Sequence, residues 1–90
     1  MSLEIYRKQI DEIDNNIVRQ LEKRALISGM LGKLKKKNGE EIVEADRKDE
    51  ILEKLKRTSK KIKSEEMENI FTSILDLSKR HEDKKTRKKN

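Results

Sequence analysis

Apolar residues recur at three- and four-residue intervals along most of the chain, and no stretch alternates cleanly between apolar and polar residues. The three-four spacing is typical of amphipathic helices, whereas strict alternation would indicate strands. The chain has no proline and only three glycines, so few residues interrupt the pattern. It therefore predicts an all-α fold with three helices and no internal repeat. The helices are expected over residues 3–37, 43–59 and 64–82.

Two boundaries have recognisable stop and start residues. Asn38-Gly39 is a common C-terminal stop, because glycine readily takes the left-handed conformation that ends a helix. Ser64 can cap the third helix, and Glu65 and Glu66 are favourably placed in its first turn. The first two helices are therefore expected to be separated by a short connection after Gly39.

The first predicted helix is long for a soluble domain. At 1.5 Å per residue it would extend roughly 50 Å, which two shorter helices of the same chain cannot cover. Its first half carries apolar residues at the spacing of a helix-pairing seam, namely Ile10, Ile13, Ile17 and Leu21. We therefore expect this helix to pair with the same helix of a second copy.

The seam becomes cationic in the second half of the same helix. Its next positions are Arg24, Ser28, Leu31 and Lys35, and at roughly 100° per residue Arg24 and Lys35 lie only about 20° apart around the axis. Two inward cations need an anion, because burying an uncompensated charge costs several kcal/mol. That anion is either a carboxylate of the protein or a ligand. A second apolar stripe is expected to pack beside the first, formed by Ile27, Met30 and Leu34.

Polar groups also extend the apolar faces of the other two helices. In the second helix Glu44, Arg47 and Lys48 share a face with Ile51, and the core side is expected to hold Ile51, Leu52 and Leu55. The third helix is expected to pack through Met67, Ile70, Phe71, Ile74 and Leu75, and three-four steps along that face reach Ser78 and Glu82.

Convergence of the three faces would form an anion-binding pocket rich in Arg and Lys. Two simpler explanations stay open at this point. Each charged side chain could lie along the surface with its head in water. Alternatively, Arg24 could form a structural ion pair with Glu44 or Glu82.

Length and composition bound the remaining possibilities. Ninety residues form one domain at most, and a chain with 31% hydrophobic and 47% charged residues has little apolar surface to bury. With no Cys and with His81 as the single His, neither a disulfide nor a metal site is expected. No apolar run approaches the ~20 residues of a membrane span. The N-terminus lacks the basic region followed by an apolar region that is typical of a signal peptide. We therefore expect a soluble, cytoplasmic protein without membrane contact.

The charge distribution argues against nucleic acid as the main partner. The net charge is +6, but residues 84–90 carry five positive charges and no negative ones, which leaves +1 for the body. Only one Tyr and one Phe are available to stack on bases. The basic tail is therefore expected to be a frayed, solvated segment. A working nucleic-acid contact through the tail stays the alternative.

Four segments resemble the all-helical, AroQ-type chorismate mutase family. They are Arg7 followed by QIDEID, EKRALISGMLGKLK, EADR, and IFTSILDLSKRHE. The resemblance covers about residues 3–83, which suggests a helical domain over 1–83 and the tail over 84–90. It implies an intertwined homodimer of three-helix chains that converts chorismate to prephenate without a cofactor, on the route to phenylalanine and tyrosine.

The resemblance also implies roles for individual residues. Arg24 and Arg47 match the clamps for the substrate carboxylates, and Arg7 matches the clamp supplied by the other subunit. Lys35 matches the donor to the ether oxygen of the breaking bond. The remaining matches are Glu82 at the second ether-oxygen position, Glu44 at the ring hydroxyl, Ser78 near a carboxylate, and Leu31 and Ile51 in the pocket wall.

Geometry supports the placement of Arg7 independently. Arg7 precedes Arg24 by 17 residues, or roughly 25 Å along a straight helix, so both cannot reach one small ligand within a single subunit. An antiparallel partner helix would bring Arg7 to the site.

Lys48 departs from the family pattern, because many relatives carry an acidic residue there that helps to hold the ring hydroxyl. Substrate affinity or identity could therefore differ, and an isochorismate–pyruvate lyase of the same fold is the nearest alternative. A non-catalytic helical dimerisation module that uses its basic tail on nucleic acid is a second alternative, from a different functional class.

Overall fold

The protein folds into three α-helices in a computed structural model that describes residues 2–39 and 44–86, with side chains except at 44–46 and 83–86. The helices are α1 (Leu3–Asn38), α2 (Glu44–Thr58) and α3 (Ser64–Thr86). The described residues contain no strand. The predicted all-α fold with three helices is confirmed, and the predicted basic segment beyond residue 86 lies outside the described residues.

The ends of α1 follow from local chemistry. The backbone N–H of Glu4 donates to the Ser2 hydroxyl at 3.1 Å, which caps the first turn. At the other end Gly39 has φ 68°, in the left-handed region, and its N–H donates to the carbonyls of Lys35 and Lys36. The predicted stop at Asn38-Gly39 is therefore confirmed, and it holds the basic last turn of α1 where the helix dipole favours positive charge.

Helix α3 is the centre of the fold. It packs against both α1 and α2, whereas α1 and α2 have no described residues with Cα atoms within 8 Å of one another. On α1 the contact with α3 includes the buried Gly32, which meets Glu82 and whose missing side chain allows close approach. A gap is therefore left between α1 and α2, with α3 as its floor.

An ion pair joins α2 to α3 away from this gap. Lys56 Nζ lies 2.8 Å from Glu68 Oε1. This hydrogen bond is the main cause that raises the pKa of Lys56 and lowers the pKa of Glu68, and the Coulombic attraction of the pair adds to both effects. The pair fixes the relative position of α2 and α3 at a partly exposed site.

The interior of the single chain is thin. Among the described residues Leu52 is the only apolar side chain classed as buried, at 8% exposure, and Ile51 and Leu55 beside it are half-buried. The expected core side of α2 is therefore present, but the fold of one chain encloses little apolar volume.

Much of the apolar surface of α1 is exposed. The stripe of Ile27, Met30 and Leu34 was expected to pack beside the seam. Within the single chain the three side chains are 53–62% exposed, and their packing beside the seam stays a prediction. Helix α3 contacts the opposite face of α1, at Gly32 and Lys35. The seam residues Ile10, Ile13 and Ile17 are exposed as well. On α3, Ile70 is also exposed rather than packed.

The end of α3 lies four residues farther along the chain than predicted, at Thr86 instead of residue 82. No glycine or proline occurs between these positions, so the sequence contains no residue that would stop the helix. None of the described helices combines the length and the apolar character that crossing a membrane requires.

Candidate active site

The three helices enclose a cavity of about 450 Å³ in the gap between α1 and α2. Its described lining combines charged side chains with an apolar wall that includes Leu31 and Ile51. Five cations and two carboxylates face it, namely Arg24, Lys35, Arg47, Lys48, Lys79, Asp76 and Glu82. The excess of cations makes the cavity suited to a small anionic ligand.

Lys35 and Glu82 form the most buried charged pair described in the structure. Lys35 Nζ lies 2.8 Å from Glu82 Oε1, and the side chains are 11% and 14% exposed. Lys35 belongs to the last turn of α1 and Glu82 to the end of α3, so the pair closes one end of the cavity. Because desolvating two charges is expensive, a pair in this position is weak evidence for a purely stabilising role.

Arg24 is held by a hydrogen bond to α3. Its guanidinium Nη1 donates to the hydroxyl of Ser78, and Ser78 is buried while Arg24 is half-buried. Ser78 lies one turn before Glu82 on α3, so one face of this helix positions both cations of α1. Of the ion pairs expected as alternatives, the described contacts give Arg24 a bond to Ser78 and give Glu82 an ion pair with Lys35. The alternative that Arg24 pairs with Glu44 falls on a side chain outside the described residues.

The second helix contributes its cations at the mouth of the cavity. Arg47 lines the cavity but is 62% exposed, and its Nη1 lies 3.2 Å from Glu50 Oε1 within the same helix. Exposed pairs of this kind contribute little to stability, so a ligand carboxylate can compete with Glu50 for the guanidinium. Lys48 is the next residue, and it is exposed and lines the cavity as well.

Two of the predicted site residues are not brought to the cavity by the described structure. Arg7 is exposed and pairs with Glu4 at 3.4 Å, and it does not line the cavity. The side chain of Glu44 lies outside the described residues, although its backbone begins α2. The structure thus gathers Arg24, Lys35, Arg47, Lys48, Ser78 and Glu82 around one cavity, and their roles stay predictions.

Sequence reasoning assigned no site role to three residues at this site, namely Asp76, Lys79 and Gly32. Asp76 lines the cavity, but it lies outside the apolar face of α3, so no periodic pattern marks it. Gly32 is buried where α1 meets Glu82. The signal for Gly32 was available, because a glycine within a helix is unfavourable by about 1 kcal/mol relative to alanine and often has a packing reason.

Comparison with known proteins gives one result. The family model described as chorismate mutase type II matches residues 6–83, a range that contains every residue named above as lining the cavity. Neither a curated protein nor a solved structure gives a significant match. The match covers most of the chain, includes the whole of α2 and extends over most of α1 and α3.

Proposed function

The chain belongs to the chorismate mutase type II family, and from this premise we propose that it is an isomerase that rearranges chorismate to prephenate without a cofactor. The product would enter the synthesis of phenylalanine and tyrosine. The observation that carries the proposal is a buried ammonium group, that of Lys35, at the end of a cation-lined cavity of small-molecule size.

Substrate binding would rest on the two arginines that line the cavity. Chorismate is a dianion, and the reaction requires it to fold so that two of its carbons meet. A guanidinium offers a planar pair of donors that fits a carboxylate. Arg24, already oriented by Ser78, and Arg47 would hold the two ends and lower the entropic cost of the reactive shape. Leu31 and Ile51 would form the apolar wall.

The chemical step would depend on Lys35 and Glu82. The rearrangement is concerted and needs neither a nucleophile nor a base, but negative charge develops on the ether oxygen as its bond to carbon breaks. The Lys35 ammonium would stabilise this charge more in the transition state than in the ground state. Glu82 would act as a second donor to the same oxygen, which only its protonated form can do.

The ring hydroxyl would be held next to α2. Glu44 is the proposed acceptor for it, by its position in the EADR segment. Lys48, where many relatives carry an acid, would then either pair with Glu44 or contact the substrate itself, since it lines the cavity.

We further propose that the working unit is an intertwined homodimer. The exposed apolar seam of α1 and the thin interior of one chain both support it, because a continuous row of exposed apolar side chains often marks a protein–protein contact. A partner helix running antiparallel along the seam would bring the partner subunit's Arg7 to the cavity, as the distance of roughly 25 Å along α1 requires. The site would then draw on both subunits.

The second candidate is an isochorismate–pyruvate lyase, and the position of Lys48 in the cavity lining favours keeping it. Purified protein offered chorismate and isochorismate separately distinguishes the two activities. We expect loss of chorismate absorbance with formation of prephenate. Formation of pyruvate from isochorismate, with chorismate unchanged, would support lyase activity and contradict mutase activity.

The same preparation tests the non-catalytic alternative. If neither compound reacts and the protein binds duplex nucleic acid with a steep salt dependence, the enzymatic proposal fails. Under the mutase proposal, removal of residues 84–90 has little effect on turnover, since these residues form the basic tail beyond the matched range.

A further inference from the structure

We infer that Gly32 is a positioning residue for the reaction, because it sets the approach of α3 to α1 and thereby places the carboxyl group of Glu82. The inference rests on the proposed function, since it concerns how one donor to the ether oxygen is held. Gly32 itself would touch neither the substrate nor the reacting atoms.

The contact between Gly32 and Glu82 leaves no space for a side chain. A Cβ atom at Gly32 would lie 2.6 Å from Cγ of Glu82, 2.7 Å from its carbonyl oxygen and 3.2 Å from its Cα. Ordinary contacts of a Cβ begin near 3.4 Å. Two of the three atoms belong to the backbone, so a rotation of the Glu82 side chain cannot relieve the overlap. The helix itself would have to move.

The same contact lies beside the proposed chemistry. Lys35 follows Gly32 by three residues, about one turn, and both are buried on the face of α1 that meets α3. A Cβ would displace the Glu82 backbone by about 0.7 Å, the difference between 2.7 Å and 3.4 Å. The carboxyl group would move with it, away from the oxygen that Lys35 and Glu82 would share. A misplacement near 1 Å at a reacting centre can lower the rate about 10²-fold.

Helix propensity does not explain the glycine, since alanine is the more favourable residue within a helix. Turn geometry does not explain it either, because Gly32 does not have positive φ, whereas Gly39 does. Close approach of the two helices is thus the feature that requires glycine at this position.

The test is Gly32→Ala, compared with Lys33→Ala at the exposed neighbouring position. We expect Gly32→Ala to keep its helical circular dichroism and to lower kcat by about 10- to 100-fold. KM should rise by a smaller factor than kcat falls, because Arg47 on α2 stays in place although Ser78, which orients Arg24, moves with α3. Lys33→Ala should leave kcat and KM unchanged. A wild-type kcat for Gly32→Ala would overturn the inference, and so would loss of its helical signal, which would assign Gly32 to folding.

A double-mutant comparison separates positioning from a general effect. In the Glu82→Ala background the donor is already missing, so Gly32→Ala should lower kcat by less than about twofold further. Losses that multiply in the double variant would show that Gly32 acts independently of Glu82, which contradicts the inference.

Failure of the proposed function is recognised separately. If the unmodified chain does not turn over chorismate, the proposed mutase function fails. The placement of the Glu82 carboxyl group by Gly32 is then tested by chemical denaturation. A cycle of Lys35→Met and Glu82→Gln should show coupling in the parent chain and markedly less in the Gly32→Ala variant. Equal coupling in both would overturn the inference.

Discussion

Lys35 and Glu82 are 47 residues apart in sequence and form a hydrogen-bonded ion pair of 2.8 Å, with both side chains largely removed from solvent. This relationship places a positive charge at a fixed point in the cavity before any ligand is present. A fixed charge of this kind needs no reorganisation during the reaction, which is where most electrostatic catalysis originates. In this pair Glu82 accepts from Lys35, so Glu82 has to bind a proton before it can donate to a ligand oxygen.

Lys35→Met is expected to reduce kcat by about 10²–10³-fold, because the charge on the ether oxygen loses its main donor. The chorismate absorbance assay measures this effect. Lys37→Met, an exposed lysine in the same helical turn, is the matched control and should behave as the parent. A Lys35→Met enzyme with near-normal kcat would remove Lys35 from the mechanism.

Glu82→Gln is expected to flatten the dependence of activity on pH. In the parent, activity should fall as pH rises, because a carboxylate cannot donate a hydrogen bond, whereas an amide donates at every pH. The measurement is kcat as a function of pH for the parent, for Glu82→Gln and for Glu65→Gln, an exposed change on the same helix. Parallel profiles in all three would exclude the donor role of Glu82.

Arg47→Ala tests whether an exposed arginine turns to the ligand. Loss of a charge-assisted hydrogen bond is worth about 1.5–3 kcal/mol, so KM for chorismate should rise about 10- to 100-fold. Thermal stability should change little, because the described ion pair of Arg47 is with Glu50 and both side chains are exposed. Arg57→Ala, at the exposed end of the same helix, should leave KM unchanged. An unaltered KM in Arg47→Ala would contradict the clamp.

Mixing two inactive variants tests whether Arg7 serves the other subunit. Arg7→Ala and Lys35→Met each spoil both sites of a homodimer, but a mixed dimer would hold one site with the intact Lys35 of one chain and the intact Arg7 of the other. After random exchange about one quarter of the sites would be complete. Recovery of roughly that fraction of parental turnover is expected. Mixtures that stay inactive after verified exchange would place Arg7 in its own subunit or outside the site.

The Lys56–Glu68 pair predicts a small, directional dependence of stability on pH. The pKa of Glu68 is lowered in the folded chain, so its contribution is present above the unfolded pKa and is lost as pH falls through the folded value. The pKa of Lys56 is raised, so its contribution is present below the unfolded pKa and is lost as pH rises through the folded value.

Between neutral and acid pH, the stability of Glu68→Gln should therefore decrease less than that of the parent, as measured by urea denaturation. Glu12→Gln, an exposed change in the middle of α1, provides the control. An equal decrease in stability between neutral and acid pH in the parent and in Glu68→Gln would contradict the assignment.

The helices could be predicted from the sequence because local chemistry decides where they begin and end. Gly39 stops α1 through its own backbone conformation, and Ser2 caps the other end through its own hydroxyl. The end of α3 at Thr86 was missed, because the charged composition of the tail was taken to indicate fraying. The lack of a glycine or proline, which lets the helix continue, was the more informative signal.

The site was accessible to sequence reasoning only as far as helical faces allow. Periodicity places Arg24 and Lys35 on one stripe, and the structure has both lining one cavity. Periodicity cannot tell which face of α1 the third helix covers, and Ile27 and its neighbours are exposed in the single chain. It also cannot measure the distance between two helices, which is why the contact of Gly32 with Glu82 appears only in three dimensions.

Leu52 is the one apolar side chain described as buried in the single chain. Burial of apolar surface within one chain therefore contributes little to its stability. If a second copy supplies the missing cover, then folding and association become one equilibrium, and dilution acts on the protein as a denaturant does. The abundance of the chain would then determine how much of it is folded, so that a cell with few copies would hold less activity per copy than a cell with many.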